Sequence, residues 1–151
     1  MTPTVVEPKP GLNVGRIVVD MHVENADDLS QVALGQIQTA QVRTLDVKAL
    51  VDTGCSLVAL PTSDIKQLAL RPVRQRQART AAGLITQRIY SAVRATVESR
   101  DCLVEVAELL DGSPAVLGQI TLELLDFWID MTNGRLAGNP EHGGQWMMDQ
   151  F

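Results

Sequence analysis

The sequence predicts an all-β domain with one or two short helices, and three observations carry that reading. Val, Ile, Leu and Thr alternate with polar residues over residues 14–23, 45–51 and 84–97, the period of strands with one buried face. Turn-forming clusters of Gly, Asn, Asp and Pro separate these runs. Only residues 62–68 and 119–125 read as helices, and both segments are short.

With 151 residues the chain suits one compact domain. A hydrophobic share of 45% with 21% charged residues is a globular balance, which argues against a wholly disordered, fibrous or membrane-spanning chain. Aromatics are only 3%, so the core must rest on aliphatic side chains. Cys55 and Cys102 form no disulfide framework, and no His or Cys spacing fits a metal, so neither metal nor cofactor is expected. No stretch reaches the ~18 apolar residues of a membrane helix, and the prolines of the first ten residues replace any apolar leader, so the expectation is a soluble, cytoplasmic protein without membrane contacts. Residues 1–12 are expected to form an extended arm, residues 13–138 the domain, and residues 139–151 a tail whose Trp146, Met147, Met148 and Phe151 suit packing at a dimer interface, with docking onto its own core or disorder as the alternatives.

Along the chain, residues 14–23 read as a strand, followed by turn chemistry at Asn25, Asp27 and Asp28. Residues 36–44 favour a strand through their β-branched content. In the next strand Leu45, Val47, Ala49 and Val51 share one face, and it runs straight into Asp52-Thr53-Gly54. Residues 57–60 are apolar and stop at Pro61, after which Thr62-Ser63-Asp64 can cap a helix. Residues 73–80 and 84–97, joined around Ala81-Ala82-Gly83, form a long hairpin. Residues 102–110 end at Asp111-Gly112-Ser113-Pro114. Ala115-Val116-Leu117 then reads as a buried strand before Gly118 and a helix over residues 119–125. Thr132-Asn133-Gly134 marks a second hairpin between residues 127–131 and 135–137, with Asn-Gly accepting positive φ.

The chemistry gathers at Asp52. A strand ending in Asp-Thr-Gly places one carboxylate on a tight loop against the core, yet the triplet alone recurs by chance. Its context is more specific. The run Ala49-Leu50-Val51-Asp52-Thr53-Gly54-Cys55-Ser56-Leu57-Val58-Ala59-Leu60 resembles the active-site segment of retropepsin-like aspartic peptidases (clan AA). Gly83-Leu84-Ile85-Thr86-Gln87-Arg88-Ile89-Tyr90 is similar to the second arm of that family's flap. Val116-Leu117-Gly118 looks like its hydrophobic-Gly element. The three segments fall in the family's order.

The resemblance implies a closed or partly open β-barrel of the acid-protease fold, Asp52 as the catalytic residue, and Thr53 and Gly54 as its supports. It also implies substrate contacts at Ser56, Ala82, Gly83 and Leu84, and a homodimer acting on peptides or proteins. Chemistry agrees with the dimer: a lone carboxylate is ionised at neutral pH and has no proton to give, whereas two held together share one. Departures are Cys55 where Ala or Ser is more familiar, Ser56 where retroviral members often carry Asp, and Gln119-Ile120 where they carry Arg-Asn. These point to a cellular or bacterial-type relative with its own dimer contacts.

Blander readings stand beside these. Asp52 could serve only as a turn aspartate. Cys55 as a nucleophile, with His22 or His142 as base, lacks a feature to lower its pKa, and Asp130 in Trp128-Ile129-Asp130-Met131 lacks the Thr-Gly of a second catalytic loop. Arg71, Arg74, Arg76 and Arg79 read as a solvated strand face; as a nucleic-acid patch they lack interleaved aromatics, and the net charge is −5. No nucleic-acid partner is therefore expected. The expected function is a dimeric aspartic endopeptidase, and the alternative is a noncatalytic dimeric peptide-binding or scaffold module of the same fold.

Overall fold

A computed structural model of the chain describes residues 4–6 and 16–150, with side chains from residue 16 onward. Most of the expected extended arm, the beginning of the first predicted strand and Phe151 lie outside these residues. Ten strands and three α-helices follow in the order β1 (Thr4–Val6), β2 (Arg16–Asn25), α1 (Ala26–Ala33), β3 (Thr44–Val51), β4 (Val58–Pro61), α2 (Thr62–Gln67), β5 (Pro72–Thr80), β6 (Gly83–Val97), β7 (Arg100–Leu109), β8 (Ala115–Leu117), α3 (Gln119–Leu125), β9 (Phe127–Asp130) and β10 (Arg135–Gly138).

Strands β2, β3, β8, β4, β7 and β6 pair in that order, and β6 pairs back to β2 through His22↔Thr96 to Asn25↔Val93. This closes a barrel and leaves it without open edges. Val19, Met21, Val23, Val58, Leu60, Val93, Ala95, Val97, Val106 and Leu117 fill its interior. The expected aliphatic core is what forms, with Phe127 the one buried aromatic among the described residues. Each fully buried Val or Leu contributes roughly 1.5–3 kcal/mol by leaving water.

Strand β6 serves two structures. Its second half alternates buried and half-buried residues against β7 and β2, while residues 83–88 are exposed or half-buried and pair only with β5. The β5–β6 arm therefore projects from the barrel as a hairpin, closed by Ala81-Ala82 with Gly83 at φ +112. β6 enters the wall at Ile89, and an irregularity between Tyr90 and Val93 interrupts its pairing with β7 just inside it.

Several expectations are corrected. Asn25, Asp27 and Asp28 do not make a free turn: the Asn25 side chain accepts from the Asp28 amide at 3.1 Å and caps α1. Residues 36–44 are no strand until Thr44. Gly35 at φ +73 ends α1, Gln38 and Gln41 bracket a 3-10 turn, and Arg43 is held by buried Asp28 through Nε at 2.9 Å and Nη2 at 2.8 Å. Local polar bonds thus outweigh β-branched propensity there. The Thr62 hydroxyl caps nothing, since Pro61 occupies the N-cap and the hydroxyl bonds Glu108 Oε2 at 2.9 Å. The Asn133-Gly134 loop is four residues long with only Gly134 at positive φ, because Asp130 accepts from the Thr132 and Asn133 amides.

The tail makes contacts within its own chain. Arg100 donates to the Gly144 carbonyl at 2.6 Å, the Met147 amide to Asp126 at 3.1 Å and Trp146 to the Leu124 carbonyl at 3.3 Å. Among the described residues no helix is long and apolar enough to cross a membrane.

Candidate active site

Consecutive strands β3 and β4 are not neighbours, because β8 lies between them, parallel to β3 and antiparallel to β4. The connection Asp52–Leu57 must therefore cross the end of β8. It is held where it crosses: the Asp52 amide donates to Leu117 O at 3.1 Å, Gly118 to Leu57 O at 2.9 Å, Gln119 to Cys55 O at 2.7 Å and Ile120 to Ser56 O at 3.0 Å. The first amides of α3 have no partner inside the helix and so serve the loop instead. A Cβ on Gly118 would stand 2.4 Å from Leu57 O and 2.8 Å from Cys55 O, so only glycine allows this approach.

Within the loop the Gly54 amide donates to Asp52 Oδ1 at 2.8 Å, and the Cys55 thiol lies 3.7 Å from Asp52 Oδ2. The Cys55 amide closes the turn on Asp52 O at 3.1 Å. A Cβ on Gly54 would come within 3.1 Å of Oδ1 and push on the carboxylate. Asp52 is half-buried and Thr53 exposed. Burial, and then the neighbouring Asp52 charge and its hydrogen bond, push the Cys55 thiol above 9.0, with Arg76 opposing more weakly. Cys55 therefore stays protonated and donates, which is the reverse of a nucleophile.

Beside the loop a cleft of ≈ 410 Å³ runs beneath the hairpin. Gly54, Cys55, Ser56 and Leu57 form one wall, residues 76–80 of β5 with Ile85 and Gln87 of β6 form the roof, and Ala59, Ala107 and Leu109 form the floor. Ala59, Ala107, Ile89 and Val116 make a small second core under it, against which Cys55 and Leu57 pack.

Of the residues singled out in the sequence, Asp52, Gly54, Val116, Leu117 and Gly118 come together, and Ser56 borders the cleft. Ala82, Gly83 and Leu84 sit at the exposed hairpin tip and do not border it. Asp130 is spent on its own turn and Arg135, and His22 and His142 pair with Asp46 and Asp126, away from Cys55. The cleft residues missed in the sequence include residues 76–80 of β5 and, on the floor, Ala107 and Leu109. The signal was present in the hairpin register, which sets Arg76 opposite Gln87 and Ala78 opposite Ile85. Among the described residues no cluster suits a metal ion.

The aspartyl protease family model matches residues 36–121, from the end of α1 through the first turn of α3. Among solved structures, the solution structure of Simian foamy virus (mac) protease is similar with 17% identity, covering 72% of this chain and 93% of that one at a TM-score of 0.45. No curated protein matches the sequence. The matched stretch spans more than half of the chain and contains the Asp52 loop, the hairpin over the cleft and the glycine behind the loop: the chain belongs to the aspartyl protease family.

Proposed function

We propose that the protein is an aspartic endopeptidase, active as a homodimer in which Asp52 of each subunit supplies half of one catalytic dyad. The observation that carries this reading is the Asp52 loop itself. Its carboxylate is anchored at Oδ1 by the Gly54 amide, 2.8 Å away, on a backbone tied to Leu117 and to α3, beside a cleft roofed by a hairpin. The sequence holds a single Asp-Thr-Gly, so the second carboxylate comes from a second chain.

Two carboxylates brought together cannot both ionise, and the pair keeps one proton whose titration belongs to the dyad. The ionised member takes a proton from water as the water oxygen adds to the scissile carbonyl carbon. The protonated member gives its proton to the carbonyl oxygen. Collapse of the tetrahedral intermediate breaks the C–N bond, and the nitrogen leaves with a proton returned by the dyad. Exposed Thr53 reaches across the interface to join the loops, and the hairpin closes over an extended peptide and excludes water.

The test combines turnover and assembly. Peptide cleavage strongest at acidic to mildly acidic pH, blocked by a statine-type mimic and abolished in Asp52→Asn with the dimer intact by sedimentation, is expected. Peptide binding unchanged by Asp52→Asn with no turnover at any pH would instead establish a noncatalytic binding module.

A further inference from the structure

The arginine cluster of β5 is dispersed in the fold. Arg71 pairs with Asp27 through Nε at 2.7 Å, and Arg74 pairs with Glu105. From Arg43 to Arg135, the other arginines are likewise committed. Arg43 holds Asp28, Arg88 reaches Glu108, Arg94 reaches Glu24, Arg135 reaches Asp130, and Arg100 donates to the carbonyls of Leu125, Asp126 and Gly144. Among the described residues, only Arg76 and Arg79 in that span have neither a carboxylate nor a backbone carbonyl as partner. Both border the cleft beside the Asp52 loop.

Arg76 faces the cleft. It stands opposite Gln87 in the hairpin register, its Nη2 lies 3.4 Å from Gln87 Oε1, and Gln87 is itself part of the roof. Arg79 stands nearer the hairpin tip, opposite Leu84, at the cleft's rim. An otherwise acidic chain, with a net charge of −5, thus leaves two guanidiniums uncompensated at the mouth of one cleft. Between Arg43 and Arg135 the remaining arginines are matched by the chain's own carboxylates or, for Arg100, by backbone carbonyls. The opposite wall offers Gly54, Cys55, Ser56 and Leu57, none of which carries an acidic side chain.

From this we infer that the cleft selects acidic peptides: substrates carrying Glu or Asp on the side that faces β5, bound by Arg76, with Arg79 adding positive charge at the rim. The inference rests on the peptide-cleft reading above and names its substrate class. A guanidinium offers a planar fork of donors that matches a carboxylate in two-point contact, and the hairpin closing over the peptide strengthens that contact by removing water. Lysine-bearing peptides meet like charge at the same place and are rejected.

The test uses three dye-labelled decapeptides, each with a central Leu-Phe pair flanked on both sides by Glu, Gln or Lys. Fluorescence anisotropy measures their binding to full-length Asp52→Asn protein, so that the result does not depend on turnover. The Glu peptide is expected to bind about tenfold more tightly than the Gln peptide, and the Lys peptide more weakly than either. Salt should compress these differences. Arg76→Gln/Arg79→Gln should bring the Glu and Gln peptides level, and Arg76→Glu/Arg79→Glu should invert the order. Equal binding of all three peptides, or binding of none, overturns the inference. Cleavage of the three at equal rates by the unaltered protein would also sink it while leaving the peptidase reading intact. Acid-selective binding without any cleavage would sink the peptidase reading and leave this one standing.

Discussion

Gly118 donates its amide to the carbonyl oxygen of Leu57 at 2.9 Å, and a Cβ on the same residue would stand 2.4 Å from that oxygen. The contact that fastens the Asp52 loop is therefore also the contact that forbids a side chain. Gly118→Ala must push the backbone at Leu57 away and break the bonds that Gln119 and Ile120 make to the loop. The expected cost is about 1–3 kcal/mol in urea unfolding, since the clash is with backbone and no rotamer relieves it. Peptide turnover should fall much further than the folded population does. Unchanged turnover in a folded Gly118→Ala protein would show that Asp52 does not depend on this strap.

The pair of buried Asp28 and half-exposed Arg43 ties α1 to the approach of β3. The Arg43 guanidinium, by hydrogen bonding and despite burial, holds the Asp28 carboxyl below 3.8. Arg43→Ala strands that carboxylate and should cost about 2–3 kcal/mol of stability, because Arg43 itself is half exposed and water replaces part of what it gives. Adding Asp28→Asn to Arg43→Ala should recover part of the loss in a double-mutant cycle of denaturation midpoints.

His142 clasps the tail to the end of α3, with Nδ1 2.6 Å from Asp126 Oδ2 and Nε2 3.1 Å from Asp149 Oδ2. The hydrogen bond to Asp126, then that to Asp149, raises the imidazole above its ordinary 6.5. Its contribution is full below 6.5 and fades as pH rises through the higher folded value. Burial alone would raise the Asp126 carboxyl, but bonds from His142, Asn139 and the Met147 amide outweigh it and hold the group below 3.8. That contribution is present above 3.8 and is lost as pH falls through the lower folded value. The clasp is thus tightest between these limits. The melting temperature of the unaltered protein should exceed that of His142→Gln by more at pH ~5.5 than at pH ~8. A gap that does not change with pH would remove His142 as its source.

Both thiols should resist alkylation in the folded state. Burial, with Asp101 adding to it, pushes Cys102 from 9.0 to about 11, which lowers its thiolate at mildly alkaline pH by ~100-fold. Cys55 is raised as well. Iodoacetamide labelling followed by mass spectrometry should modify Cys102 far more slowly than the urea-unfolded chain, with Cys55 between them. Rapid labelling of Cys55 in the folded protein would contradict its place as a donor to Asp52.

What the sequence disclosed and what it withheld divide along a physical line. Strand β8 and helix α3 occupy the predicted residues, because a short apolar triplet, a glycine and an amphipathic turn are local signals. The Asp52 loop was legible for the same reason, and so was the long hairpin. The segment before β3 was not, since its shape follows from Asp28 meeting Arg43, 15 residues away, and from the Gln41 side chain accepting from the Gln38 amide. Nor was the cleft roof. A two-stranded arm with little core beneath it gives no hydrophobic pattern to say which face looks inward, so Arg76 read as solvated until the register with Gln87 placed it.

Strand β6 carries a last consequence. Its first half is the roof over the cleft and its second half is barrel wall, with no loop between the two. The roof is therefore a cantilever clamped in the sheet, a continuous beam instead of a hinged door. The natural fulcrum is the register irregularity between Tyr90 and Val93. Buried Ser91 lies there, its amide donating to the Arg71 carbonyl at 2.8 Å and its hydroxyl accepting from the Arg71 amide at 3.1 Å.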